Sequence, residues 1–480
     1  MTGADYFVPF RTKLRSMRSE PFGADPAGAR LQRILNSPNF ADGVFQNPLG
    51  ARTRPSGSTL EFAKVYFQKE QRVRRAPAGT VPVHATTLAD LAAPPATGLR
   101  LTWMGHSSVL AEIDGRRVLF DPVWGERCSP FPFVGPKRLH PVPVPLTTLG
   151  DVDVVVISHD HYDHLDLPTI RALAGTGTVF AVPLGVGAHL ERWGVAPDRL
   201  RELDWNETAK VNGISLTATP ARHFCGRGLR NNQHTLWASW SVRGPEHRIY
   251  HSGDTGYFPG FRDIGAEHGP FDATMIQIGA YSEYWPDIHM TPAEGMRAHL
   301  DLQGGRPHGV LLPIHWGTFN LAPHAWAEPA EWTKDAAEEA EQAAAFPRPG
   351  EPFEPAGALP VDPWWRPVSA PMAPPRWRTA TAETVPGSAA PGGTPGSGRG
   401  RGAVIAGAGA RIRPVPTPSA TVDRTRPDTS GRHPVRKGAA REAVVRRVPP
   451  SPARRTAYGV RPPGPDTSGT PRRRRAGRPG

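Results

Sequence analysis

Residues 158 to 166, SHDHYDHLD, place His159, His161, Asp163 and His164 within six positions. Three imidazoles and a carboxylate so close together are the nitrogen and oxygen ligands that zinc and similar borderline metals take. On an extended backbone His159 and His161 share a face, because side chains two apart point the same way. Asp163 and His164 fall where the chain bends and face a neighbouring point, which suits two metal ions better than one. The bland alternative is a polar loop that starts a helix at LPTIRALA, with Asp163 or Asp166 as its cap.

The elements that must hold these residues can be read from their surroundings. The cluster directly follows VDVVVI, residues 152–157, in which five of six residues are Val or Ile. Such a run predicts a buried strand, so the polar residues form the loop at its end. Three more candidates close apolar runs: His223 ends ATPARH, Asp254 lies in HSGDTG after Ile249 and Tyr250, and His315 ends GVLLPIH. Strand ends on one edge of a sandwich converge, so all seven residues can meet in space. Imidazoles with only two carboxylates leave two bound metals with residual positive charge, which lowers the pKa of a bound water. Metals roughly 3.5 to 4 Å apart can hold the resulting hydroxide between them and clamp a phosphate oxygen as charge builds. Asp163 is placed to orient that hydroxide and take its proton, while no separate acid for the leaving group is evident. With no thiolate in the set, zinc, manganese and iron all fit.

From Leu99 onward the chain alternates short apolar strands with turns and later with helices. LRLTWMG, SVLAEID and RRVLFDP predict a meander whose second turn is Asp114-Gly115, a favoured two-residue hairpin turn. Strands follow at TVFAVP, RELDWNE, GISLTATPARH, LWASWSV, HRIYHSGDTG, ATMIQIGA and GVLLPIH, with helices at LPTIRALA, GAHLERWG, TPAEGMRAHLDL and EWTKDAAEEAEQAAA. This pattern predicts an α/β sandwich of two sheets with helices outside. Residues 1–97 read as an N-terminal extension that packs on a hydrolase domain at 98–368, with helices around Ala29 to Leu35 and Leu60 to Gln71.

H-x-H-x-D-H behind a buried strand resembles the signature of the metallo-beta-lactamase superfamily. LTWMGHSSVLAEIDG, FDPVWGERCSPFPFVGPKR, ISHDHYDHLD, LWASWSV, HSGDTGY, GPFDATMIQIGAY and IHWGTF resemble, in order, the N-acyl-phosphatidylethanolamine-hydrolysing phospholipase D family, over roughly Leu99 to Phe346. The resemblance implies a four-layer αββα sandwich and two zinc ions per chain. One zinc would be held by His159, His161 and His223, the other by Asp163, His164 and His315, with Asp254 bridging. It also implies that Asp121 orients ligands through hydrogen bonds and that His289 lies near the substrate. His106 in MGHSS has similar standing, His251 is expected to be structural, and Cys225 is expected to be inert packing since the ligand set is already full. The implied activity is hydrolysis of N-acyl-phosphatidylethanolamine to N-acylethanolamine and phosphatidic acid through a hydroxide bridging the metals. A lactone or small phosphodiester is the alternative substrate. Trp124, Phe131, Phe133, Phe224, Tyr281, Tyr284 and Trp285 are aromatics that could line an apolar path to the metals, with Tyr281 a candidate substrate contact.

Composition bounds the remaining possibilities. The chain of 480 residues carries a formal net charge of +13, but residues 369–480 alone hold 22 Lys+Arg against 5 acidic residues. Residues 1–368 therefore hold 35 basic and 39 acidic residues, so charge gives no reason to assign nucleic acid to the core. The Arg-, Pro- and Gly-rich tail, 369–480, is expected to be disordered, and such a tail leaves a nucleic-acid-processing role as a third reading. Two cysteines make no disulfide framework. Without a signal-peptide pattern or a run of about 18 apolar residues, the expected location is the cytoplasm, with peripheral contact at a membrane surface and no transmembrane segment.

Overall fold

In the computed structural model, which describes residues 20–53, 64, 66, 68–228 and 232–371, the apolar run at 152–157 lies inside a seven-stranded sheet. All described residues fall in one compact unit, Met1–Ala389; the second unit, Ala390–Gly480, lies outside them, as does almost all of the predicted tail. A small antiparallel pair, β1 (Phe40–Ala41) and β2 (Val44–Phe45), precedes the main sheets. The first sheet contains β3 (Leu99–Gly105), β4 (Ser108–Ile113), β5 (Arg116–Phe120), β6 (Val154–Val156), β7 (Val179–Pro183) and β8 (Leu200–Leu203). The second contains β9 (Thr208–Val211), β10 (Ile214–Thr219), β11 (Ser239–Arg243), β12 (Arg248–His251), β13 (Ala273–Gln277) and β14 (Val310–Ile314). The chain then returns to the first sheet with β15 (Pro352–Phe353), giving the orders β15-β3-β4-β5-β6-β7-β8 and β14-β13-β12-β11-β10-β9.

The alternation of side chains along each strand explains how the sheets stack. Val154 and Val156 point into a core shared with Leu216, Trp240 and Met275 of the second sheet. Their neighbours Val155 and Ile157 point the other way, into a separate core with Ile170, Leu173 and Leu190. Those residues belong to or adjoin α4 (Leu167–Ala174) and α5 (Gly187–Arg192). On the far side, α7 (Pro292–Leu302) packs against β13 between α6 (Gly260–His268) and α8 (Glu328–Glu339). The layers are therefore αββα, as the sequence led us to expect. Three short helices, α1 (Gly28–Leu35), α2 (Lys69–Arg74) and α3 (Leu88–Ala92), lie in the N-terminal segment.

Local chemistry fixes the connections. Asp114 and Gly115 both have positive φ, 49° and 76°, between the paired ends Ile113 and Arg116, the backbone a type I′ turn requires. Asp166 caps α4 by accepting from Thr169 N at 3.3 Å and also accepts from Gly125 N. The bland reading thus holds for Asp166, whereas Asp163 points elsewhere. Thr291 and Glu294 form a capping box that starts α7 just beyond His289. Half of the helix expected around Leu60 to Gln71 falls outside the described residues, and its described continuation is α2.

Candidate metal centre

Strand direction brings the candidate residues to one edge. In the first sheet β5 and β6 run parallel, and two antiparallel pairings make β3 run the same way as β5. In the second sheet β12, β13 and β14 are parallel, and β10 reaches the same direction through β11. Every candidate follows the C-terminal end of one of these strands: His106 after β3, Asp121 after β5, residues 159–164 after β6, His223 after β10, Asp254 after β12, His289 after β13 and His315 after β14.

Two groups form there. His161 Nδ1 lies 2.8 Å from His159 Nε2 and 3.3 Å from His223 Nε2, so three ring nitrogens aim at one point. Asp163 Oδ2 lies 3.6 Å from His164 Nε2 and 3.4 Å from His315 Nε2, with His106 Nε2 at 3.0 Å. Asp254 Oδ2 sits between the groups, 3.2 and 3.0 Å from His164 and His315 Nε2, and 4.0 and 3.8 Å from His159 and His223 Nε2. The structure thus brings together all seven residues that the sequence singled out.

The outer hydrogen bonds decide which ring nitrogen is free. His164 Nδ1–H donates to Asp121 Oδ2 at 2.8 Å, and His223 Nδ1–H donates to the Ile288 carbonyl at 2.9 Å, leaving each Nε2 lone pair facing inward. Asp121 also accepts from Ser158 N and Oγ, and Ser158 Oγ lies 3.0 Å from His159 Nδ1. One buried carboxylate thereby organises both ends of the loop that carries the cluster.

The chain by itself leaves this polar centre incomplete. The Nε2 atoms of His164 and His315 and the Oδ1 of Asp254 are buried with no hydrogen-bond partner. Buried polar atoms seldom go unpaired, and ring nitrogens that face one another at 2.8 and 3.3 Å are close enough to share a cation. A nitrogen and oxygen donor set without sulfur, with inward lone pairs, fits metal ions of the zinc, manganese or iron kind. Electrostatics divides the two groups. Burial, reinforced by neighbouring imidazoles, holds His159 well below its usual pKa. Burial also pushes His223 and His161 down. Burial opposes charge on His164 and His315 too, but Asp254 and Asp163 outweigh it and raise both. Asp163 and Asp254 stay well below the carboxylate range despite burial, held down by His164 with His106 or His315. Both carboxylates are therefore ionised, the form in which they bind metals.

A cleft of about 270 Å³ opens beside the cluster, lined by His161, Asp163, Asp254, His289 and His315 together with Phe224 and Trp285. The His289 Nδ1 has no hydrogen-bond partner, lies 3.9 Å from Asp254 Oδ2, and burial pushes the ring down to about 3. Tyr281 backs the wall instead of facing the cleft. Its hydroxyl donates to Glu328 at 2.7 Å and its ring stacks on His324, which accepts from Ala280 N. Of the other aromatics, Trp124 donates to the Val144 carbonyl and packs on the helix-side core, while Phe131 and Phe133 are exposed. Cys225 is fully buried with its thiol on the Thr235 carbonyl, and burial raises its pKa, so it stays a thiol. His251 stacks on Phe120 and bonds the Ser107 carbonyl, away from the cluster. Sequence reasoning missed the direct bond of His106 to Asp163. The signal was a histidine directly after the strand LRLTWMG, as His315 is directly after β14; its φ is +53°. Thr53, Ile288 and Leu321, which also line the cleft, carried no signal.

Comparison with known proteins agrees with this geometry. Residues 116–316 match the family described as Beta-lactamase superfamily domain. An uncharacterized protein of Mycobacterium tuberculosis is 49% identical over 360 residues, 74% of this chain and 94% of that protein. The N-acyl-phosphatidylethanolamine-hydrolyzing phospholipase D 1 of Caenorhabditis elegans is 37% identical over 269 residues, 53% of this chain and 74% of that protein. The mitochondrial N-acyl-phosphatidylethanolamine-hydrolyzing phospholipase D of Saccharomyces cerevisiae is 31% identical over 240 residues, 48% of this chain and 50% of that protein. The chain belongs to the metallo-beta-lactamase superfamily of metal-dependent hydrolases and, within it, to the family of these phospholipase D relatives.

Proposed function

We propose that the protein is a phosphodiesterase of the phospholipase D type that hydrolyses N-acyl-phosphatidylethanolamine to N-acylethanolamine and phosphatidic acid. The observation that carries the proposal is the pairing of two convergent donor groups, joined by Asp254, with a cleft that Phe224 and Trp285 also line. The worm and yeast relatives, both N-acyl-phosphatidylethanolamine-hydrolyzing phospholipases D, support the substrate. His159, His161 and His223 would hold one zinc ion and Asp163, His164 and His315 a second, with Asp254 facing both. Bound there, the ions would supply an activated water and neutralise charge on the phosphate oxygens.

The chain's own residues set up the rest. Asp121 and the Ile288 carbonyl fix the tautomers of His164 and His223. Asp163 is held ionised with His106 Nε2 at 3.0 Å, and it would take the proton of the attacking water. His289 presents a neutral imidazole to the cleft and would contact the substrate there, while Phe224 and Trp285 would receive the lipid portion. Water adds to phosphorus, and the bond from phosphorus to the ethanolamine oxygen breaks. Among the described residues no helix is long and apolar enough to cross a membrane; the lipid would be met by peripheral contact at a membrane surface.

Incubation of the full chain with N-acyl-phosphatidylethanolamine in detergent micelles, followed by mass spectrometry of the products, tests this directly. N-acylethanolamine and phosphatidic acid should form with the parent and fall below about 1% of that with His161→Ala. No release from protein that carries its metals would remove the lipid substrate and leave the hydrolase.

A further inference from the structure

His223 lies beyond the end of β10, in no strand, so its backbone has no ladder partner in either sheet. Its partner is a side chain from the N-terminal segment. Asn47 Nδ2 donates to the His223 carbonyl at 2.7 Å, and His223 N donates to Asn47 Oδ1 at 2.9 Å. A carboxamide that accepts and donates at once replaces a neighbouring strand for this one residue. The same segment is tied on either side. Phe45 N donates to the Gln233 carbonyl, Arg222 donates to the Gly50 carbonyl, and Arg52 N donates to Asp287 Oδ2. Asp287 Oδ1 also pairs with Arg222 at 2.9 Å, next to the Ile288 carbonyl that holds the His223 ring. His223 is thus located at its peptide by Asn47 and at its ring by a loop that the same segment fastens.

We propose that Asn47 is a positioning residue for the His159, His161 and His223 group, so that the N-terminal segment is a working part of the metal centre. The inference rests on the metal-binding reading above. His159 and His161 come from a loop braced by Ser158 and Asp121, whereas the third donor of their group depends on a segment 176 residues away in sequence. Loss of Asn47 leaves the buried His223 N–H and carbonyl unpaired, and the peptide shifts to find other partners. The nitrogen donor moves with it. The second group, anchored through Asp121, is untouched.

The test is zinc binding by the full chain, measured by titration and by metal analysis after dialysis. Cobalt absorption spectra, with His223→Ala as the reference for loss of that group, identify the site affected. Asn47→Ala should weaken one of two zinc ions by about 10- to 100-fold, as outer partners of metal ligands do. Its cobalt spectrum should approach that of His223→Ala, and excess zinc should restore turnover. Asn47→Asp keeps the acceptor for His223 N and loses the donor, so it should fall between. A role in folding alone would lower the thermal midpoint while both zinc affinities stayed at the parent value, and that result overturns the inference. If Asn47→Ala does not fold, parent-like zinc affinities for Asn47→Asp overturn it equally. Absence of metal from the parent would instead remove the metal reading.

Discussion

Asp121→Asn isolates the contribution of a single proton position. Asp121 accepts three hydrogen bonds, from Ser158 N, Ser158 Oγ and His164 Nδ1 at 2.7, 2.6 and 2.8 Å. Asparagine has nearly the same shape but only one acceptor oxygen, and that oxygen can stay on Ser158 N. Its amide then points N–H at His164 Nδ1, which can accept only if the ring moves its proton to Nε2. That is the atom facing Asp163 and Asp254 at 3.6 and 3.2 Å, so the tautomer that satisfies asparagine blocks the donor. Loss of such an outer partner typically weakens metal binding by about 10- to 100-fold, or about 1.4 to 2.8 kcal/mol. Zinc titration of the variant should show that loss for the ion held by His164, and turnover at limiting zinc should fall in proportion. Two zinc ions bound with parent affinity would refute the argument that Asp121 sets the His164 tautomer.

Two further outcomes follow from the same geometry. Gly253 has φ +54°, and a Cβ there would lie 2.6 Å from Ser158 Cβ, so Gly253→Ala should cost roughly 3 kcal/mol, lower the thermal midpoint by several degrees and reduce bound zinc by displacing the loop that follows β6. His299, remote from the metal centre, is held neutral by burial down to about 4, with Nδ1 on Thr274 Oγ1; the unfolded chain therefore binds the extra proton between about pH 6.5 and 4, stability falls by up to about 1.4 kcal/mol per pH unit as pH drops through that window, and His299→Gln should flatten this part of a denaturation profile against pH.

Much of this arrangement could be read from the chain before its structure was known, for particular reasons. The metal-facing residues interrupt apolar strands at their ends, and a polar residue at such a place stands out against Val, Ile and Leu. The Asp114-Gly115 turn was equally plain, since two positive φ angles in a row select those residue types. Other elements gave no such contrast. β9, TAKV, is half-exposed, and β15 is two residues long, so neither offers a periodic run. α6, GFRDIGAEH, mixes glycines with charges and hides its apolar face. Contacts between distant segments were the least legible. Asn47 in QNPLG looks like any turn residue, and the bond of His106 to Asp163 joins positions 57 apart. Tyr281 seemed exposed to the cleft because its neighbours are there, but its hydroxyl is claimed by Glu328 from α8.

The one-sided placement of the site leaves the opposite rim free for use. β9 and β10 are joined there by Asn212 and Gly213, both exposed and both at positive φ, and a Cβ on Gly213 would meet nothing within 4 Å. This turn enters β10 at the end farthest from His223. A fluorophore or affinity handle inserted between these two residues would give the enzyme a reporter or an anchor to a solid support, with its cleft turned toward the solution.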